Sequence, residues 1–294
     1  MSHHLRIVVT GAEGQLGSEL CRQLGSRALG LDLPALDLTD GRSFGATMRD
    51  LRPGALINAA AYTKVDQAED EPELCRAINA RGVLYLAGFC RRFDCPLVQI
   101  SSDYVFGSDA ARRMPYREYD PPDPRGVYAR SKWEGELYAA RWARHLIVRT
   151  CGLYGPVAPR SAGNFVATML RLGRQAKQLR VVADQHCTPT YVPHLARAIC
   201  FLLDSGALGL YHVVNGGATT WHEFAAEIFR QVGLAVSLEP ISTAQYGAAA
   251  PRPAYSVLDT GKYHALPGAP AMPAWQEALA EHLRSAGVLA AVRK

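Results

Sequence analysis

The stretch "LRIVVTGAEGQLGSELCRQLG", residues 5–25, constrains the fold of this chain more than any other. An apolar, β-branched run from Leu5 to Val9 breaks at a turn holding Gly11, Gly14 and Gly17. Apolar residues then recur at Leu16, Leu20 and Leu24 with helical spacing, which reads as strand, tight turn, helix. "ALGLDL" at 28–33 follows at once as a second strand, so the opening segment spells a βαβ unit. Glycines at such a turn let the backbone approach a pyrophosphate and let helix pack closely on strand. The helix start adds free N–H groups and a partial positive charge. The turn predicts dinucleotide binding.

Further apolar runs at 55–60, 96–101 and 145–150 alternate with helical stretches such as 72–92 and 127–143. Strands alternating with helices argue for an α/β fold with a doubly wound parallel sheet of Rossmann type. After Thr150 the pattern loosens. "LRVVAD" at 179–184 and the helical pattern at 192–204 read as one more strand and helix of the large unit, while Pro and Gly crowd 240–273. The expected division is an NAD(P)-binding domain of residues 1–150 with 179–205, and a smaller α/β substrate domain of residues 151–178 with 206–294.

Asp32, at the end of the second strand, is placed to accept from a ribose 2′-hydroxyl, which favours NAD over NADP; the plain alternative is a strand-end turn Asp. Asp37 is the next acidic candidate, against an ordinary loop Asp before a helix N-cap. Ser101 and Ser102 close the strand of "QISSDYVFG", where a doubly wound sheet presents side chains to its ligand crevice. In "YARSK", Tyr128 and Lys132 stand four residues apart, on one helix face. A phenol with an ordinary pKa near 10 is a poor acid-base catalyst at neutral pH, and a nearby ammonium would lower that value.

A glycine turn, a strand-end Ser and a Tyr-x-x-x-Lys, in that order, resemble the extended short-chain dehydrogenase/reductase superfamily. "TGAEGQLG", "INAAAYTKVDQAE", "AINARG", "SSDYVFG", "VYARSKWEGE", "GNF", "YHVVNGGATTWHEFA" and "RPAYSVLDTGKY" are similar in order and spacing to the dTDP-4-dehydrorhamnose reductase family, over roughly residues 5–285. The resemblance implies hydride delivery from NADPH or NADH to the 4-keto group of a nucleotide-linked 6-deoxyhexose. It implies Tyr128 as proton donor, Lys132 lowering its pKa and holding the ribose, and Ser102 as hydrogen-bond donor to the keto oxygen. Cofactor contacts would fall on Gly11, Glu13, Gly14, Gln15, Leu16, Gly17, Asp32, Asp37, Leu38, Ala59, Ala60, Ala61 and Lys132. Substrate contacts would fall on Ser102, Asp103, Tyr128, Gly152, Asn164 and Arg252, the last as a fork for the diphosphate.

"RTCGLYG" departs from the family, which commonly carries a Trp where this chain has Gly152; losing an indole opens volume in the sugar pocket. A non-catalytic NADP-binding subunit, like the β subunit of methionine adenosyltransferase, is the alternative from another class, and an epimerase or dehydratase of the superfamily is a third. The intact Ser102, Tyr128 and Lys132 favour the reductase. The net charge of +5 is scattered, which argues against nucleic acid as partner. No apolar run is long enough for a membrane span, so a cytoplasmic location is expected. A homodimer is compatible with the resemblance. No metal is expected, and the seven cysteines, without Cys-x-x-Cys spacing, read as reduced. Trp133 and Trp221 read as packing residues and Cys151 as a small buried filler. Thr188 and Thr190 are open between a ligand-loop role and turn chemistry.

Overall fold

The computed structural model of the chain describes residues 6–49, 51–161 and 163–289; Leu5 of the expected first strand lies outside them. Six parallel strands make the central sheet: β1 (Ile7–Thr10), β2 (Ala28–Leu31), β3 (Ala55–Asn58), β4 (Leu97–Ser102), β5 (His145–Thr150) and β6 (Gly209–His212). They lie in the order β6-β5-β4-β3-β1-β2. From β1 the chain steps to β2 on one side, and from β3 it winds toward the other. The direction therefore reverses between β1 and β3, and the crevice beyond their carboxyl ends is where such sheets receive ligands. The expected doubly wound α/β sheet is the one observed.

The longer helices are α1 (Gln15–Leu24), α2 (Gly41–Met48), α3 (Gly82–Phe93), α4 (Gly126–Ala139), α5 (Phe165–Gln175), α6 (Val192–Asp204), α7 (Trp221–Val232) and α8 (Trp275–Ser285). Alternation along the strands sorts their side chains between two layers. Ile7, Val9, Ile57 and Val148 pack with Leu16 and Leu20 of α1 and Leu195 and Ile199 of α6. Val8, Leu56 and Ile147 pack on the opposite face with Phe44 of α2, Leu86 of α3 and Ala139 of α4. A third core gathers the late chain: Val166 and Leu170 of α5, Phe224 and Ile228 of α7, Trp275 and Leu279 of α8. Helix α7 is sharply bounded, by a Thr220–Glu223 capping box at its start and Gly233 at φ 69° after its end.

Two segments sit differently from expectation. The strand Gln178–Val182, read as part of the large unit, pairs instead with Ser237–Ile241. Gly209–His212, read as part of the smaller one, is the sixth strand of the main sheet, beside β5. Sequence periodicity gives a strand's existence but not its partner. Among the described residues, no helix is long and apolar enough to cross a membrane.

Candidate active site

The glycine turn lies at the reversal point of the sheet, and two of its glycines are required by contact. A Cβ on Gly11, at φ 69°, would stand 2.6 Å from the Ala60 nitrogen just past β3. A Cβ on Gly17 would stand 1.9 Å from the Gly11 carbonyl oxygen. Ala59 and Ala60 thus flank the turn, and Gly14 caps α1 with no side chain covering the helix start. The side-chain amide nitrogen of Gln15, at the start of α1, is buried without a partner among the described residues and lies on the side of Gly155. The turn fits a dinucleotide phosphate: open N–H groups and close backbone approach.

Asp32 accepts the backbone N–H of Glu13 at 2.9 Å and of Leu33 at 2.8 Å, one on each oxygen. It ties the turn to β2, leaving lone pairs for a further donor. Glu13 is bound from outside by Arg160 at 2.8 Å. Asp37 closes a local turn on the Thr39 N–H and hydroxyl, and Asp40, not Asp37, caps α2. Its plain alternative thereby has a structural basis. Leu38 is buried; its Cβ packs against the glycine face of Gly82.

Ser102 ends β4, and Tyr128 and Lys132 lie on α4, which packs against β4. Burial pushes the Tyr128 phenol well above its ordinary range, with the Ser102 hydroxyl opposing that rise. Burial thus outweighs the lowering expected of Lys132. The Lys132 Nζ instead donates to the Ile100 carbonyl at 2.7 Å, and burial brings the ammonium down to about 8. Tyr104 packs edge-on to Tyr128 at 5.8 Å between ring centres.

Asp103, expected to contact the sugar, is a buried carboxylate. It is 2 % exposed, and its carboxylate accepts from Ser256 at 2.6 Å and Ser102 at 3.0 Å. Burial raises its pKa against those donors and the Cys151 thiol. Asn164, read as a substrate contact, is the N-cap of α5, accepting from the Ala167 N–H and donating to the Gly155 carbonyl. Arg252 spends its fork on Asp66, with contacts of 2.9 and 2.8 Å. Thr188 and Thr190 are buried and bond to backbone carbonyls of Gly217 and Thr188, which is turn chemistry. Gly152 is closely approached by two residues. It sits at φ 52°, and the Trp221 ring lies 3.3 Å from where its Cβ would be, with Pro189 at 3.2 Å.

The "AYTKVDQAE" stretch also holds residues that sequence reading left without a role. Glu69 accepts the Val127 N–H at 2.8 Å and so caps the start of α4. Asn79 lies in a π-helical turn, Ala77–Arg81, that precedes α3. It accepts the Tyr62 N–H at 2.9 Å and donates to the Ser131 hydroxyl at 3.0 Å, linking the post-β3 loop to α4. A π turn in an otherwise helical run often marks a functional site, but nothing in "AINARG" signals it. All seven cysteines are free thiols. No cluster of three metal-ligating side chains occurs among the described residues.

A glycine turn at the sheet reversal, with Ser102 and a Tyr128–Lys132 helix beside it, defines an extended short-chain dehydrogenase/reductase. Residues 5–287 match the family described as the RmlD substrate binding domain. The chain is 40% identical over 284 residues to the spore coat polysaccharide biosynthesis protein SpsK of Bacillus subtilis, covering 95% of this chain and 97% of that protein. It is 39% identical to a dTDP-4-dehydrorhamnose reductase of Streptomyces griseus, over 94% of this chain and 92% of the relative. The crystal structure of dTDP-4-dehydrorhamnose reductase from Bacillus anthracis in complex with NADP superposes with a TM-score of 0.90 at 39% identity, over 96% and 99% of the two chains. The chain belongs to the dTDP-4-dehydrorhamnose reductase family.

Proposed function

We propose that this protein is an NAD(P)H-dependent reductase of the 4-keto group of a nucleotide-linked 6-deoxysugar, converting dTDP-4-dehydro-L-rhamnose to dTDP-L-rhamnose or acting on a close analogue. The observation that supports the reading is the packing of the helix that carries Tyr128 and Lys132 against β4, the strand that ends in Ser102. A reduced nicotinamide cofactor held at the glycine turn would supply the hydride for the carbonyl carbon. Tyr128 donates its phenolic proton to the oxygen as that oxygen gains charge, and Ser102 turns its hydroxyl from Asp103 to the same atom. A phenol raised by burial is protonated at neutral pH, the form a reduction consumes. Lys132, one turn along, steadies the phenolate left behind. Gly11, Gly14, Gly17, Gln15 and the start of α1 hold the pyrophosphate, with Ala59, Ala60 and Ala61 along its flank.

The cofactor-binding lobe is built on the six-stranded sheet, and the third core supports the sugar-binding side. The reading places the enzyme in the cytoplasm, where reduced nicotinamide cofactors and free thiols persist, and allows a homodimer. The test is NADH and NADPH oxidation at 340 nm with dTDP-4-dehydro-L-rhamnose generated in place, followed by mass analysis. Turnover to dTDP-rhamnose is expected, and the preferred cofactor decides the role of Asp32. Tight cofactor binding without reduction of this or related keto-sugars would reject the reductase in favour of a binding subunit.

A further inference from the structure

Beneath the Tyr128–Lys132 pair lies a buried ion pair that the reaction described above leaves unused. Tyr128, Lys132 and Glu136 follow at four-residue steps along α4, hence along one face. Glu136 holds Arg149 of β5 by two bonds, Nε to Oε1 at 2.8 Å and Nη2 to Oε2 at 2.6 Å, both side chains being 3 % exposed or less. Ser101, the neighbour of Ser102 on β4, donates to Glu136 Oε1. Arg149 also reaches His212 Nε2 of β6 at 3.4 Å, and its guanidinium lies 4.9 Å over the Phe106 ring. His212 Nδ1 donates to the Tyr116 carbonyl at 3.0 Å. Burial and the Arg149 charge bring that imidazole down to about 3, so it is neutral. The pair therefore joins the helix carrying Tyr128 to three adjacent strands of the sheet.

A buried ion pair with all its bonds made contributes little stability beyond what apolar side chains of the same shape would give. Its place in the fold points elsewhere. Lys132 is 4 % exposed, and the groups that face its ammonium are Glu136 on α4, the Cys75 thiol from the short helix Pro72–Arg76, and the Ile100 carbonyl of β4. Asp103 bears on Tyr128, and Arg149 stands behind Glu136. Glu136 is thus the carboxylate that compensates the buried ammonium, while Arg149 competes for it.

We infer that Glu136 is a positioning residue for this reductase chemistry: clamped by Arg149 and Ser101, it keeps Lys132 charged, and Arg149 sets how much of its charge Lys132 receives. The inference rests on the reductase reading of Lys132. The sign follows from the surroundings: burial lowers Lys132 to about 8 and Glu136 opposes that fall. Losing the Glu136 charge moves Lys132 lower still, so the ammonium is lost at a lower pH; losing the Arg149 charge moves it higher.

The experiment compares Glu136→Gln, which keeps an acceptor for Ser101, with Arg149→Met. Two profiles are recorded against pH: kcat/KM for the keto-sugar, and NADPH affinity by fluorescence titration without sugar. The alkaline limb of both is expected to shift toward lower pH by about one unit in Glu136→Gln and toward higher pH in Arg149→Met. Glu136→Asp restores the wild-type limb. Both single variants break the same ion pair, so a purely structural buttress would lower thermal stability in each and leave the limbs of the profiles superimposed on wild type. That result overturns the inference. Should Glu136→Gln fail to fold, an unshifted limb in Arg149→Met overturns it equally. A wild-type enzyme that reduces no 4-keto-6-deoxysugar refutes the proposed function instead, and the NADPH titrations still decide the role of Glu136.

Discussion

Helix α4 presses against the π turn at one glycine, and replacing Gly135 by Ala tests whether that contact positions the chemistry. A Cβ at Gly135 would lie 2.2 Å from the Asn79 carbonyl oxygen, about 1.2 Å short of ordinary contact. Neither partner yields easily: the oxygen is backbone, and Asn79 is fixed on both ends by Tyr62 and Ser131. Overpacking of this kind costs about 1–3 kcal/mol, offset by up to about 1 kcal/mol from removing a mid-helix glycine. A net loss near 1–2 kcal/mol lowers Tm by roughly 2–8 °C in a chain of this size. The larger effect is on rate. Tyr128 lies two turns along the same helix, and a displacement near 1 Å at a reacting group costs on the order of 10²-fold. Steady-state kinetics should therefore show kcat falling far more than NADPH affinity. Gly88→Ala in α3, where no atom lies within 4 Å, is the control, expected to raise stability by about 0.4–1 kcal/mol with unchanged kinetics. A Gly135→Ala enzyme with lowered Tm but wild-type kcat would refute the reasoning, since the helix would then have moved without consequence for Tyr128.

Tyr128→Phe keeps the ring packed on Tyr104 and removes the proton; turnover should vanish with NADPH binding nearly intact, and comparable activity in that variant would remove Tyr128 from the mechanism. Arg252→Ala and Asp66→Asn separate two roles for the Asp66–Arg252 clasp. If the guanidinium leaves Asp66 to bind diphosphate, Arg252→Ala raises KM for the nucleotide sugar more than tenfold, the scale of one lost charge-assisted pair. Asp66→Asn, which frees the fork, should then leave KM unchanged or lower. Equal losses in both variants, read from KM and Tm together, mark a structural clasp.

Residues whose surroundings are local were legible in the sequence, and residues whose partners come from far along the chain were not. The helix α6, residues 192–204, and the strand 145–150 are found where hydrophobic periodicity puts them. Periodicity is weaker on α4, because its buried positions include Ser131, Lys132 and Glu136 as well as Ala129 and Ala139. There the motif, not the pattern, located the helix. The site residues that changed meaning did so through distant partners. Asp103 is enclosed by Ser256, 153 residues on, and Arg252 is bound by Asp66, 186 residues back. Gly152 is approached by Trp221, 69 residues on, at the start of α7. Asn164 differs, since its role is a local N-cap that "GNF" could have suggested.

The late arrival of β6 and α6 has a consequence for how the protein is made. Helix α6 lies against α1, with Gln23 bonded to the Pro193 carbonyl and Arg27 to Asp204 across 170 and 177 residues. Strand β5 keeps a bare edge until Gly209–His212 reaches it. At the usual pace of synthesis, about 5–20 residues per second, the interval between completing β5 and completing β6 lasts roughly 3–12 s. Throughout it, one apolar face and one strand edge await chain still being translated. Nascent chains stalled before residue 190 should therefore engage chaperones or aggregate, and the glycine turn, though first off the ribosome, cannot be held in its finished geometry until the last third of the protein has closed over the sheet.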